Sequence, residues 1–210
     1  MSLSLNEIEA TARKAARGAG YDWGLAEEAG TATRWLCHHG FAGCRALATV
    51  LQTADTVPIQ HITPVASGQK WQAPGAVACP VSCGTALSDR ATQVSQSPFR
   101  FGTVLSPLLL LPFAHYVARQ LDQPVAIGWT GFSATLHKHG VASEGSITDQ
   151  TADVTVSACS RDIQPHPLQT RADPDPTDWD CLLSFAARTY APATEASRIL
   201  GAGAGPSNAD

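Results

Sequence analysis

Apolar residues recur at helical spacing through the first quarter of the chain and at strand spacing further on. Leu5, Ile8, Ala12, Ala15 and Ala19 form one stripe, which predicts a helix from Leu5 to about Arg17. Ser4 and Glu7 make a capping box at its start, the hydroxyl facing the Glu7 N–H and the carboxylate reaching back to Ser4. Leu3 and Ile8 stand at the staple positions, and Glu9 precedes Arg13 by four residues in the favourable order. Gly18 and Gly20 stop the helix, and Asp22 caps a second one. In that helix Leu25, Ala29, Ala32, Trp35, Leu36 and His39 share a face, and Gly40 closes it. A third helix is predicted from Ala42 to about Leu51. Links this short pack consecutive helices into a cluster.

From Val57 the pattern breaks into short extended runs between Pro and Gly. Ala76-Val77-Ala78-Cys79-Pro80 reads as a buried strand leading to a helix from Gly84 to about Val94. Ser106-Pro107 opens another helix, and Pro112 either kinks it or marks its true start. The cleanest alternation follows: Val125, Ile127 and Trp129, then Phe132, Ala134 and Leu136, then Val154, Val156 and Ala158. Thr130-Gly131 is short enough to be a tight hairpin. Three antiparallel strands are predicted, with an apolar face under helices and a small, polar face opposite. After a Pro-rich linker from Arg161 to Pro176, Thr177 is expected to cap a helix reaching about Tyr190, with Asp178 and Asp180 near its positive end. A short helix from Thr194 to Leu200 and a flexible Gly201–Gly205 tail complete the reading.

The fold class expected is therefore α+β: an N-terminal helical cluster packed with a mainly antiparallel sheet, plus a C-terminal helix. One domain is expected over 1–210. It divides into a helical cluster (1–52), a mixed α/β body (53–160), a linker (161–176), C-terminal helices (177–200) and a tail (201–210). The 210 residues suffice for one sizeable core.

Charge and cysteine usage narrow the function classes. A formal net charge of -4 argues against a nucleic-acid partner, which calls for a basic face. The longest apolar run, Val104 to Ala114, is interrupted by Ser106, Pro107 and Pro112 and falls short of the roughly 20 residues needed to cross a bilayer. No membrane partner is expected. The N-terminus carries Glu7 and Glu9 and no apolar signal-type stretch, so the expected location is cytoplasmic. Cys37, Cys44, Cys79, Cys83, Cys159 and Cys181 are scattered, which suits free and mostly buried thiols better than staples.

Several segments together resemble a bacterial family of domains of unknown function. They are Ser4 to Glu9, Lys14 to Gly20, the Trp23-Gly24-Leu25-Ala26-Glu27-Glu28-Ala29-Gly30 stretch, Pro107 to Phe113, and Thr189-Tyr190-Ala191-Pro192-Ala193-Thr194-Glu195-Ala196-Ser197-Arg198. The resemblance supplies no catalytic residue. A shorter likeness, His39-Gly40 after two helices, is similar to the serine-histidine-glycine signature of the malate and lactate dehydrogenases outside the Rossmann fold. Here Cys37-His38 replaces the Asp-Ser of that pattern.

Four groups of side chains carry candidate chemistry. Arg17, Trp23, Glu27 and Glu28 gather where the first two helices meet. There a guanidinium and carboxylates can bind a small polar molecule, or simply pair the helices. Cys83, expected at a helix N-terminus after Cys79-Pro80, is the candidate nucleophile, with His61 or a strand histidine as base. Its bland alternative is an inert core thiol. His137 and His139 lie two apart at a strand end and can share a face, with Ser157 and Cys159 on a neighbouring strand, but a zinc site needs a third ligand. Two solvated histidines, with no bound metal and no cofactor, are the expectation. Cys37-His38-His39 looks ligand-like, yet adjacent helical residues point apart and suit the helix C-terminus.

No high-specificity catalytic motif appears, so the sequence does not decide whether the protein is an enzyme. The first functional expectation is binding of a small polar metabolite near Arg17, Glu27 and Glu28 and the Cys83-Gly84 turn. The alternative is a structural or assembly protein that forms homo-oligomers through Ala126, Gly128, Thr130 and Ser133.

Overall fold

The computed structural model describes residues 2–67, 70–151 and 153–190. In chain order its elements are β1 (Leu3–Ser4), α1 (Leu5–Gly18), α2 (Trp23–His38), α3 (Gly43–Ala54), α4 (Ile59–Ile62), β2 (Val65–Ser67), β3 (Lys70–Gln72), α5 (Pro80–Asp89) and α6 (Ala91–Val94). Then follow β4 (Phe99–Phe101), β5 (Val104–Leu105), a 3-10 turn (Pro107–Leu110), α7 (Leu111–Leu121), β6 (Val125–Trp129), β7 (Phe132–His137), β8 (Gly140–Gly145), β9 (Gln150–Thr151), β10 (Val154–Ala158), β11 (Arg171–Ala172) and α8 (Pro176–Ala187). The α+β class and the N-terminal helical cluster are as expected.

The caps place the helices where the residue pattern does. The Glu7 N–H donates to Ser4 Oγ at 3.2 Å, and Leu3 and Ile8 are both buried, so the staple closes. The Leu25 N–H donates to Asp22 Oδ1 at 2.8 Å and fixes the start of α2. Glu9 pairs with Arg34 at 3.4 Å and ties α1 to α2.

Among the described residues the main sheet runs β2-β3-β4-β10-β6-β7-β8, antiparallel except where β3 meets β4. The three strands predicted from alternation are its centre. Val156 stands opposite Ile127, Ile127 opposite Ala134, and Trp129 opposite Phe132 across the Thr130-Gly131 turn, where Gly131 takes φ 82°. Val125, Ile127, Trp129, Phe132, Ala134, Leu136, Val154 and Val156 are all buried. They merge with Ile8, Leu36, Leu47 and Leu51 from the helical cluster and Leu108 to Leu111 from the centre of the chain into one hydrophobic core.

Four local expectations are corrected. Ala76–Cys79 is not a strand: Ala76 turns back at φ 70°, and only Ala78 makes an isolated parallel bridge, to Val104. Only Ala78 and Cys79 of the run are buried, with the Cys79 N–H spent on the Ile62 carbonyl. The helix after it starts at Pro80 instead of Gly84, because proline suits the first turn and Cys79 is extended. Pro112 sits in the first turn of α7, so it marks a true start, and Pro107 opens only the 3-10 turn. Asp175, not Thr177, caps α8, accepting from the Thr177 N–H at 2.8 Å with Pro176 in the first turn. The linker also carries order: β11 pairs with β1, and His166 bonds the β8 edge through Val141 and Ser143. The expected Thr194–Leu200 helix and the Gly201–Gly205 tail lie outside the described residues.

Candidate functional site

The cavity best furnished with chemistry lies between α2, the end of α5 and α7. It has a volume of about 360 Å³ and is lined by Glu28, Thr31, Ala32 and Trp35 of α2, Ser88 and Asp89 of α5, and Pro112, Phe113, His115, Tyr116 and Arg119 of α7. Residues three, four and seven apart on a helix share a face. One face of α2 therefore presents Glu28, Thr31, Ala32 and Trp35, and one face of α7 presents Pro112, His115, Tyr116 and Arg119. The α5–α7 approach is close because position 84 is glycine: a Cβ there would lie 2.1 Å from a Phe113 ring carbon.

Rings form the inner wall. Trp35 stacks on His39 at 3.8 Å between centroids, and His115 lies 5.3 Å from Trp35 and 6.0 Å from His39. His39 Nδ1 donates to the Trp35 carbonyl at 2.8 Å, which fixes its tautomer. Trp35 Nε1 and His115 Nδ1 are both buried without a hydrogen-bond partner. Leaving such a group unsatisfied costs roughly 1–3 kcal/mol. Both residues belong to the cavity lining, while the two atoms themselves are turned away from solvent.

The charges are distributed unevenly. Burial raises the Glu28 carboxyl above its usual range, helped by repulsion from Glu27 and Asp89. Burial pushes His115 down to about 4, with His39, Arg119 and His137 all disfavouring its cation. His39 is lowered too, first by burial. Since the folded His115 pKa lies below the unfolded value, its contribution is present above about pH 6.5 and lost as pH falls toward 4. A His115→Asn variant should thus lose less stability than the parent between about pH 7 and about pH 4.5, measured by urea denaturation. Equal losses would remove His115 as a source of that slope.

The sequence candidates are divided among separate places. Arg17 lies 4.5 Å over the Trp23 ring and donates to the Tyr21 carbonyl, while Trp23 is 67% exposed. Glu28 alone of that group lines the cavity; Glu27 acts on it only through its charge. Cys83 is the fourth residue of α5 and fully buried, and burial, then Cys79, push its thiol well up, which favours the inert core thiol over the nucleophile. His139 lies in the turn after β7, its ring 5.2 Å from that of His137. β6 stands between β7 and the strand carrying Ser157, so Ser157 and Cys159 are not neighbours of that pair. Among the described residues no group of three His, Cys, Asp or Glu side chains is placed to hold a metal ion. His38 and His39 diverge, His38 Nδ1 donating to the Gln169 carbonyl at 2.6 Å.

Residues 3–79 match the family described as protein of unknown function DUF3726. The N-terminal part of the resemblance read from the sequence is thereby shown, while Pro107–Phe113 and the Thr189–Arg198 segment fall outside the match. The DUF3726 segment runs from β1 through β3 to Cys79 and contributes the α2 wall of the cavity; Ser88, Asp89 and α7 come from beyond it. No curated protein matches the chain. Among the described residues no helix is long and apolar enough to cross a membrane.

Proposed function

We propose that this protein binds a small polar metabolite in the cavity between α2, α5 and α7. The observation that carries the reading is the convergence of Arg119 with the Glu28 and Asp89 carboxylates, from three helices, on one cavity walled by Trp35 and His115. Arg119 calls for an anion. Glu28 and Asp89, two carboxylates close enough to repel, call for an ammonium or hydroxyl donor. A guest meeting all of these carries a carboxylate or carbonyl together with an amine or hydroxyl. About 360 Å³ falls in the range of small-molecule sites, at its lower end. Amino acids and hydroxy acids are the class that fits.

A thermal-shift panel of amino acids, hydroxy acids and polyamines, followed by calorimetric titration, tests this. A guest at about 100 times its Kd should stabilise the fold by about 2.7 kcal/mol. Glu28→Gln and Arg119→Gln should each weaken binding at least about tenfold, the loss of one charged hydrogen bond. A panel without a shift, or a guest indifferent to both substitutions, would sink the proposal. The assembly alternative has its own readout. Ala126 and Gly128 are half-buried and Thr130 and Ser133 exposed, so a homo-oligomer through that face should appear in light scattering and dissociate on Gly128→Arg.

A further inference from the structure

Residues 159–175 cross the outside of the molecule from β10 to α8 with only the short β11 as regular structure. The segment is tied at both ends. The Cys159 N–H donates to the Pro124 carbonyl at 2.9 Å, and β11 pairs with β1. Between these ends it docks in two places. Gln169 meets the end of α2: its N–H donates to the His38 carbonyl at 2.7 Å, and its carbonyl accepts from His38 Nδ1 at 2.6 Å. Pro165 and His166 meet β8, an edge strand of the main sheet. A Cβ at Gly140 would lie 2.8 Å from Pro165 Cβ, and the His166 N–H donates to the Val141 carbonyl at 2.8 Å. The Ser143 N–H in turn donates to His166 Nε2 at 3.1 Å. The imidazole thus fills the place that the carbonyl of a further strand would take. Residues 161–164 close over Ser133 and Thr135 of β7 and Ser143 and Glu144 of β8, around a cavity of about 240 Å³.

We propose that residues 161–168 are an acid-released lid over this sheet face, with His166 as its catch. The two docking histidines respond to protons in opposite ways. His38 donates, and an imidazolium donates from both nitrogens, so that contact survives protonation. His166 accepts: Nε2 must be bare to take the Ser143 N–H, which puts the proton of the neutral ring on Nδ1. A second proton, on Nε2, sets N–H against N–H. The Ser143 hydroxyl, also 3.1 Å away, can still accept from it, but the backbone bond is lost. Closure therefore selects the neutral ring and is favoured as pH rises through the range of about 5 to 8 in which histidine changes charge.

The charged groups on the elements packed against His166 do not reverse this sign. His39, at the end of α2, is disfavoured as a cation by His166. Lys138, paired with Asp122 at 2.8 Å, and His139 lie in the turn before β8. The Glu144 carboxylate of β8 is already paired with Arg161 at 3.6 Å. The Phe41 ring stands edge-on to His166 at 5.7 Å and adds no charge. Because the Gln169 contact tolerates acid, opening begins at His166 and ends at Gln169. It uncovers the Ser133, Thr135 and Ser143 side chains and the Ser143 N–H on the β8 edge.

Hydrogen–deuterium exchange of the full chain, read by peptide mass at about pH 7.5 and about pH 5.5, tests the lid across the histidine range. Labelling times are scaled for the intrinsic pH dependence of exchange. Peptides spanning 140–145 and 161–168 are expected to lose roughly tenfold in protection at the lower pH, the size of one hydrogen bond, while α1 and β6 keep theirs. His166→Gln places an amide carbonyl, an acceptor at either pH, near the Ser143 N–H and should abolish the difference. His38→Gln should leave it in place. Unchanged protection of 161–168, an equal loss in α1 and β6, or a His166→Gln chain that still opens at the lower pH would overturn the proposal. The wild-type comparison decides the matter if a variant does not fold. None of these readouts depends on a guest in the α2–α5–α7 cavity.

Discussion

Replacing Trp129 by alanine is expected to destabilise the protein by roughly 3 kcal/mol, the lower end of the 3–5 kcal/mol typical of large aromatic truncations in a core. Trp129 is the last residue of β6, 6% exposed, with its ring stacked on Phe132 at 4.2 Å and 12°. Phe132 is its direct cross-strand partner, so the truncation removes both a core side chain and one half of an aromatic pair at the hairpin. The neighbours cannot refill the space, because the strand positions on either side of Trp129 along this face are fixed by the register. One favourable correction lowers the figure: Trp129 Nε1 is buried without a hydrogen-bond partner, and alanine removes that orphan donor. The same argument makes Trp129→Phe nearly neutral. Urea denaturation midpoints of the two variants separate these contributions. An alanine variant with an unchanged midpoint would place this sheet face outside the core.

Legibility followed the strength of the local signal. α1 and α2 were readable because each carries a cap, an apolar stripe and a stop, three signals that agree. The β6, β7 and β10 strands were readable because alternation over five or six residues has no helical equivalent. Strand β8, Gly140–Gly145, was not read. Its side chains are small or polar, and it is held by pairing with β7 rather than by a pattern of its own. The Ala76–Cys79 run is misleading for the opposite reason: it is apolar enough for a strand, but its Cys79 N–H bonds the Ile62 carbonyl at the end of α4 instead of a ladder.

The candidate site was legible only at Glu28. Its other members, Trp35, Asp89, His115 and Arg119, sit in three helices far apart in sequence, and nothing local announces that they converge. A weak clue did exist in α7, where His115 and Arg119 are ionisable residues four apart on a mostly apolar helix. Conversely Arg17, Trp23 and Glu27 lie close in sequence, yet Arg17 and Trp23 stack on each other outside the cavity and Glu27 does not line it.

Gly84 links the core to the cavity, and its substitution tests both at once. In the interior of a helix, exchanging glycine for alanine ordinarily gains about 1 kcal/mol. At position 84 the added Cβ would stand 2.1, 2.3 and 2.4 Å from three carbons of the Phe113 ring, well inside any real contact. Phe113 is 4% exposed, so its ring has no solvent to swing into. The ring must move toward the cavity it lines, or α5 and α7 must separate. Overpacking of this kind costs about 1–3 kcal/mol and occasionally more. The expected net effect of Gly84→Ala is a loss of roughly 1–3 kcal/mol despite the helix gain, together with weaker binding of any guest identified for the cavity. Gly84→Ala read alongside Gly24→Ala makes the comparison clean. Gly24 is also helical, but the nearest atom to its added Cβ is 3.7 Å away, so only the propensity gain remains there. Stabilisation by Gly24→Ala and destabilisation by Gly84→Ala, measured as shifts of the denaturation midpoint, would establish the close α5–α7 approach. Stabilisation by both would show that Phe113 does not pack against position 84 and that the cavity wall is formed differently.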